Sequence, residues 1–335
     1  MKLSIILPVY NVEKFLPDCF ESLAAQDIPQ EEYEIICVDD GSPDNSAAVI
    51  EEYQKKYPNI HLIRQANGGV CSARNNGLKA AKGDYIWYID PDDYIQANCL
   101  GVLLDKLYAA NADFIVFEYD EVAEESTFDK ENQADIVIVQ QEEYASKGSG
   151  CQYIVRRAYL EENNILFNER LAYGEDYLWA FQLNYRKHNG LKTSAQIYHY
   201  RQRMGSAMHG KTKEKQVRHM NDMQLLARIY EEEYQRCKRE ELPKTVLKNI
   251  KRRKQLCAQS VVLDLIRLAE GKGEVKSKLK RFKQEGLYPY PWMWWYLFDR
   301  AIDAPLKIRL FSLFFPMQWY VVLMNAMYRK IAKKG

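Results

Sequence analysis

The sequence predicts an α/β fold over residues 1–210, a mostly parallel sheet with helices on both faces, followed by a mainly helical region over 211–335. Three observations predict it. Short β-rich apolar runs alternate with segments of helical periodicity from Leu3 to Tyr94, the pattern of successive βαβ units. Two of those runs end abruptly in acids, at Asp39-Asp40 and at Asp90-Pro91-Asp92-Asp93. The charge balance also inverts along the chain: residues 1–210 hold 19 Lys and Arg against 33 Asp and Glu, and residues 211–335 hold 28 against 13. An acidic half and a basic half are unsuited to one task, so two units are expected.

Taken in order, residues 3–9 (Leu-Ser-Ile-Ile-Leu-Pro-Val) read as a buried strand closed by Pro8. Phe15, Leu16, Cys19, Phe20 and Leu23 recur at helical spacing and predict a helix over 12–26. A strand follows over 33–38. Gly41 permits a tight turn, and Ser42, Asp44, Asn45 and Ser46 offer caps for a helix over about 47–57. Residues 61–64 form a short third strand, and Asn67-Gly68-Gly69 turns into a helix running to about 81. Tyr85 to Ile89 is the fourth strand, its aromatic and β-branched residues suiting a covered sheet position. Residues 111–119 predict another strand, 121–135 an acidic exposed excursion, 136–141 an edge strand, and 148–150 a flexible connection before a strand or helix over 151–160. Arg156 and Arg157 there read as solvated helix charges, with acceptor binding as the alternative. Glu175-Asp176 opens an apolar helix, and a Tyr-rich strand runs from Ile197 toward Arg203.

Composition describes an ordinary folded protein, 47% apolar and 28% charged. Seven cysteines are odd in number and show no close pair, which fits a reducing cytoplasm better than a disulfide framework or a zinc site. The N-terminal apolar run is interrupted at Pro8, too soon for a signal peptide, so a cytoplasmic location is expected.

Asp90, Asp92 and Asp93 stand at the carboxyl end of a buried strand, where open α/β sheets bind ligands. Several desolvated carboxylates need a partner. A hard divalent cation, Mg²⁺ or Mn²⁺, suits such an all-oxygen set. The Gly68-Gly69 turn at a helix start fits a phosphate, although neither a P-loop nor Gly-x-Gly-x-x-Gly is present. Cation and phosphate together suggest a diphosphate ligand.

Four pieces, in this order and spacing, carry a resemblance: Ser4-Ile5-Ile6-Leu7-Pro8-Val9-Tyr10-Asn11, Val38-Asp39-Asp40-Gly41-Ser42, Gly68-Gly69 with Ser72-Ala73-Arg74-Asn75, and Asp90-Pro91-Asp92-Asp93. The chain from 1 to about 210 resembles the family 2 glycosyltransferases, inverting enzymes of GT-A fold that use nucleotide-diphosphate sugars. The resemblance implies that Pro8, Tyr10 and Asn11 line the base and ribose pocket. It implies that the Asp39-Asp40 pair, Asp40 preferred, accepts from a uracil N3–H. Arg74 would lie near the nucleotide, Asp90 toward ribose and metal, Asp92 on the metal, and Asp93 behind them. Glu175-Asp176 matches the position of the general base, with Asp176 as base and Glu175 as its orienting neighbour. The segment Tyr198-His199-Tyr200-Arg201-Gln202-Arg203 resembles one that closes over the donor, so that Arg201 and Arg203 would neutralise diphosphate; His199 is a candidate third metal ligand.

Residues 211–284 predict helices with Lys and Arg on one face, densest at Lys251-Arg252-Arg253-Lys254. Residues 287–328 hold four of the six Trp, and 310–328 run uncharged for 19 residues but contain Pro316, which is marginal for a spanning helix. Aromatic-rich segments flanked by basic residues suit a membrane surface, at the inner face of the cell membrane; a docked bundle or a homodimer contact is the alternative. Nucleic acid is not expected, since no recognition motif accompanies the charge. The reading is an inverting transferase taking a hexosyl or N-acetylhexosaminyl group from a UDP-sugar to a saccharide or lipid-linked saccharide of a surface polysaccharide. Two alternatives stand beside it. One is a sugar nucleotidyltransferase, against which the lack of a Gly-rich basic loop after the first strand speaks. The other is a nucleotide-sugar-binding module without transfer.

Overall fold

The computed structural model describes residues 1–131, 135–141, 148–203, 212–286 and 318–332. It divides into two compact units, Met1–His209 and Gly210–Gly335.

The first unit opens with strand β1 (Leu3–Val9), helix α1 (Leu16–Ala24) and strand β2 (Tyr33–Asp39). Helix α1 begins four residues later than the periodicity suggests. Pro17 explains this, because proline is tolerated in the first helical turn and not in the interior. Then come α2 (Ser46–Lys56), β3 (Ile60–Arg64), α3 (Val70–Ala80), β4 (Tyr85–Tyr88), the two-residue β5 (Tyr94–Ile95) and α4 (Leu100–Ala109). The unit continues with β6 (Phe114–Ala123), β7 (Ile138–Gln140), β8 (Tyr153–Arg156), α5 (Arg157–Glu162), α6 (Glu175–Asn184) and β9 (Gly190–Gln202). Residues 151–160, left open as strand or helix, are thus both in succession. Arg156 and Arg157 are structural: Arg156 pairs with Asp113, and Arg157 donates to the Gly83 carbonyl at 3.0 Å and pairs with Glu161.

The strand order is β3-β2-β1-β4-β8-β6-β9-β5, with β7 added alongside β9. The pairings of β1 with β2 and β4, and of β2 with β3, are parallel as expected. Beyond β4 the sheet is mixed, because β8 returns antiparallel between β4 and β6 and β5 hooks antiparallel onto β9. Pro8 sits in central β1 without breaking a ladder, since the pairing with β4 ends at Ile6 and Tyr88. Alternate residues of β1 serve opposite faces. Leu3, Ile5 and Leu7 pack with Leu16, Cys19 and Leu23 of α1, with α2 and with α4. Ile6 packs with Cys71 and Leu78 of α3 and, through the same cluster, with Tyr159 of α5 and Trp179 of α6. Both faces are therefore covered. All seven cysteines are buried, and none forms a disulfide.

The second unit is a helical assembly of α7 (Lys213–Arg239), α8 (Lys244–Leu268), α9 (Lys272–Gln284) and α10 (Gln318–Ala332). Met220, Leu226 and Tyr230 of α7 and Ile250, Val261 and Leu265 of α8 are buried, and α10 packs on α8 and α9. Buried Asn325 donates to the carbonyls of Ile266 and Ala269 at 3.0 and 2.7 Å, satisfying the C-terminal end of α8. Of the basic cluster, Lys254 pairs with Glu231 at 2.8 Å and Lys251 lies over the Tyr234 ring. Among the described residues no helix is long and apolar enough to cross a membrane. The aromatic tract expected at a membrane surface, 287–317, lies outside the described residues; its continuation from 318 is helix α10.

Candidate functional site

Parallel pairing sets the carboxyl ends of β1, β2 and β4 on one edge of the sheet. Val9 ends β1, Asp39 is its register partner on β2, and Asp90 follows β4. At this edge Tyr10 is half exposed and Asn11 takes a left-handed φ of +56°. The Asn11 amide donates to Ser42 Oγ at 3.4 Å, drawing the two strand ends together.

The neighbouring carboxylates Asp39 and Asp40 have different duties. Asp40 Oδ1 accepts from Gly68 N at 2.7 Å and Gln65 Nε2 at 2.8 Å, and its Oδ2 accepts from Gly69 N at 2.8 Å. Asp40 therefore holds the Gly68-Gly69 turn. Among the described residues Asp39 accepts from Ser42 N only, at 3.0 Å through Oδ1. Of the two carboxylates, Asp40, the one preferred from sequence for reading the base, is engaged with this turn, whereas Asp39 accepts a single hydrogen bond among the described residues.

Arg74 is the centre of the site. It projects from α3, is buried, and lies over the Phe167 ring at 4.7 Å. Its Nη2 donates to Asp90 Oδ1 at 2.8 Å and its Nη1 to Asp176 Oδ1 at 2.6 Å, with Glu175 Oε1 at 3.6 Å. One guanidinium thus joins the acid after β4 to the pair opening α6, two stretches 86 residues apart in sequence. The fork geometry of arginine suits this double engagement. Asp90 and Asp176 keep 28% and 26% of their side chains exposed, enough for a ligand to reach them.

Burial raises four of the carboxyls gathered here, Glu175, Asp176, Asp92 and Asp93. Glu175 is pushed up to about 8, first by burial and then by the Asp176 charge, with Arg74 opposing. Asp176 is raised by burial against the pull of Arg74. Asp92 is raised by burial and by Asp90, with Arg203 opposing, and Asp93 is raised well above the ordinary range by burial and by its two acidic neighbours. The helix N-terminus favours the charged forms of Glu175 and Asp176, and desolvation outweighs it.

The acidic turn is held from β9. Tyr198 Oη donates to Asp93 Oδ2 at 2.5 Å and accepts from Asp90 N at 3.2 Å. Arg201 N donates to Asp93 Oδ1 at 2.8 Å. The Arg201 guanidinium is spent on the Asp92 carbonyl, on the Glu124 and Ser126 carbonyls and on Asp18. Arg201, expected near a diphosphate, here braces the turn. Arg203 Nε stands 2.5 Å from Asp92 Oδ2.

Asp90 and Asp92 offer two partly exposed carboxylates. Among the described residues no group of three His, Cys, Asp or Glu stands together to hold a metal ion. His199 does not join the two aspartates: it is buried, its Nδ1 lies 2.6 Å from Asp120, and its ring packs on Tyr94. Two carboxylates fit Mg²⁺ or Mn²⁺ of the kind that completes its shell with phosphate oxygens and water.

Sequence reasoning passed over Tyr198, Phe167 and Gly150. A side chain at Gly150 would come within 3.1 Å of Phe167 and 3.5 Å of Asp176 Oδ1, so the supposed flexible connection is in fact packed against the candidate base. For Tyr198 a signal existed, since strand alternation opposes it to His199 and aims it at the acidic turn. Phe167 carried none.

The family model for glycosyl transferase family 2 matches residues 4–171. The chain belongs to this family. It is 34% identical over 214 residues to the poly(ribitol-phosphate) beta-glucosyltransferase of Bacillus spizizenii, covering 60% of this chain and 32% of that protein. It is 35% identical over 184 residues to the uncharacterized glycosyltransferase EpsJ of Bacillus subtilis, covering 52% and 53%. The chain spans about a third to a half of the length of these relatives. Among solved structures, that of S. aureus TarS 1-349 in complex with UDP-GlcNAc matches with a TM-score of 0.60 over 98% of this chain and 92% of that one, at 22% identity. The likeness shows the GT-A fold of the family 2 unit.

Proposed function

We propose that this family 2 member is an inverting glycosyltransferase that moves a sugar from a UDP-linked donor to a hydroxyl of a surface-polymer acceptor. The observation that carries the reading is the Arg74 bridge, which gathers Asp90, Glu175 and Asp176 into one partly open site at the ligand-binding edge. Tyr10, Asn11 and Asp39 would take the base and ribose beside Pro8, with Asp39 accepting from uracil N3–H. Asp90 and Asp92 would hold Mg²⁺ or Mn²⁺, which when bound supplies positive charge to the diphosphate. Arg203, now on Asp92, would turn to the charge of such a diphosphate.

Asp176 is the proposed general base. Arg74 engages its Oδ1, leaving Oδ2 for the acceptor hydroxyl. As the acceptor oxygen bonds to the anomeric carbon, its proton passes to Asp176. The bond from that carbon to the diphosphate oxygen breaks with its electron pair, and UDP leaves. A single displacement inverts the anomeric configuration. Glu175, largely protonated near neutrality, would orient the acceptor rather than compete for its proton.

The names of the relatives, poly(ribitol-phosphate) beta-glucosyltransferase and the beta-N-acetylglucosaminyltransferase TarS, support a hexosyl or N-acetylhexosaminyl donor and bring a polyol-phosphate polymer into the acceptor class beside saccharides and lipid-linked saccharides. Contact of 287–335 with a membrane surface belongs to the proposal on the composition of that tract. The test is calorimetry of UDP-glucose and UDP-GlcNAc with Mn²⁺, followed by release of UDP upon adding ribitol-phosphate polymer. Binding of one donor and acceptor-dependent release are expected; no heat with either donor overturns the reading.

A further inference from the structure

Helix α9 (Lys272–Gln284) buries Val275, Leu279 and Phe282 and sorts its charges unevenly around the remaining surface. On one flank each acid has a basic partner: Glu274 with Lys278 at 2.8 Å and Glu285 with Arg281 at 2.8 Å. On another flank Lys272, Lys276, Lys280 and Lys283 are exposed, and among the described residues none has an acidic partner. At about 100° per residue these four positions fall within about 80° of one another, in a row about 16 Å long. Four ammonium groups side by side repel one another, and the acids that could have relieved them are committed elsewhere.

We propose that this lysine row is a docking surface for an anionic lipid bilayer. Charge complementarity is the first argument: ammonium groups at helical spacing match the phosphates of a negatively charged leaflet. Shape is the second, because the outer flank of a single helix is convex and meets a plane along its length, where a linear polyanion would need a groove. The third is sequence context: Tyr288, Tyr290, Trp292, Trp294, Trp295, Tyr296 and Phe298 follow α9 directly, and Tyr and Trp are the residues enriched at membrane interfaces. The inference deepens the membrane-surface reading of 287–335 by naming the cationic residues and the lipid charge they require. It calls on neither donor nor transfer.

The test is flotation of the full-length protein with phosphatidylcholine vesicles, with and without phosphatidylglycerol. The parent is expected to float with the anionic vesicles, to lose most of that binding at high salt, and to ignore the neutral ones. Each lysine removed is expected to weaken binding roughly fivefold. Two double variants separate the row from net charge: Lys276→Gln with Lys280→Gln, and Lys278→Gln with Arg281→Gln. The first pair is expected to bind at least tenfold more weakly and the second within about twofold of the parent. Equal losses, or unchanged binding by the first pair, overturn the proposal. So does a first pair that floats normally but loses binding to a soluble ribitol-phosphate polymer, since the row would then read the polymer. Lys276, Lys280 and Arg281 are exposed and Lys278 is partly exposed, and far-ultraviolet circular dichroism reports whether α9 remains folded.

Discussion

Arg74 pairs with Asp90 and Asp176 through one guanidinium and stands beside Glu175, and its loss would leave these acids facing one another in a mostly buried site. Removing one partner of a buried pair costs about 3–5 kcal/mol. Arg74→Gln is therefore expected to lower the melting temperature strongly, and calorimetric unfolding measures it. A variant as stable as the parent would show that the bridge is incidental. Asp176→Asn asks a different question, because it keeps the shape and removes the basicity. Transfer should fall about 10²–10⁴-fold while donor affinity by calorimetry stays within a few fold. Turnover that survives the substitution dismisses Asp176 as base. Both residues were legible in sequence, as members of short motifs, but the contact between them was not. Nothing in local spacing brings position 74 to position 176; α3 and α6 have to pack first.

At the scale of the element, the turn Gly68-Gly69 shows what a motif requires physically. Gly69 adopts φ +86° and ψ 164°, a region that is close to exclusive to glycine, and its amide donates to Asp40. Gly69→Ala should cost about 1–3 kcal/mol and weaken UDP binding, since the turn and Asp40 sit beside Asp39. Thermal melts and donor titration read the two effects; an alanine variant with parental values for both would mean that the turn tolerates a side chain. The edge strand pairing was less legible. The two residues of β5 carry no periodicity of their own, and they exist as a strand because β9 offers a partner. In the second unit, Asn325 stood in an uncharged tract and caps α8 instead. Asn325→Leu should cost about 1–3 kcal/mol by stranding two carbonyls, as read by denaturant midpoint.

For the whole first unit, the clustered carboxyls set a pH dependence of unusual sign. Glu175 is raised from 4.5 to about 8, and Asp92, Asp93 and Asp176 are raised as well. The folded protein then binds protons more tightly than the unfolded chain. Stability from these groups is present below their unfolded values and is lost as pH rises through the folded ones. The melting temperature of the metal-free protein is expected to fall between about pH 5 and about pH 8, less steeply in Glu175→Gln. Mn²⁺ should recover part of the loss at the upper end, because an ion bound only by the folded state stabilises it. A flat profile, identical in the variant, would contradict the burial argument.

The division of labour between chain and fold follows from the range of the forces involved. Hydrophobic period, proline and glycine placement and strand-ending acids act over a few residues, so the parallel half of the sheet, both acidic turns and the helix opening at Glu175 were determined by the sequence itself. Desolvation and charge pairing depend on what stands across a gap of a few ångströms. Only the tertiary structure could give Asp40 to the glycine turn, Arg201 to the acidic loop and His199 to Asp120, and could lay Arg74 between Asp90 and Asp176. A motif names which groups are present; the packing of distant elements decides which of them are still free to act.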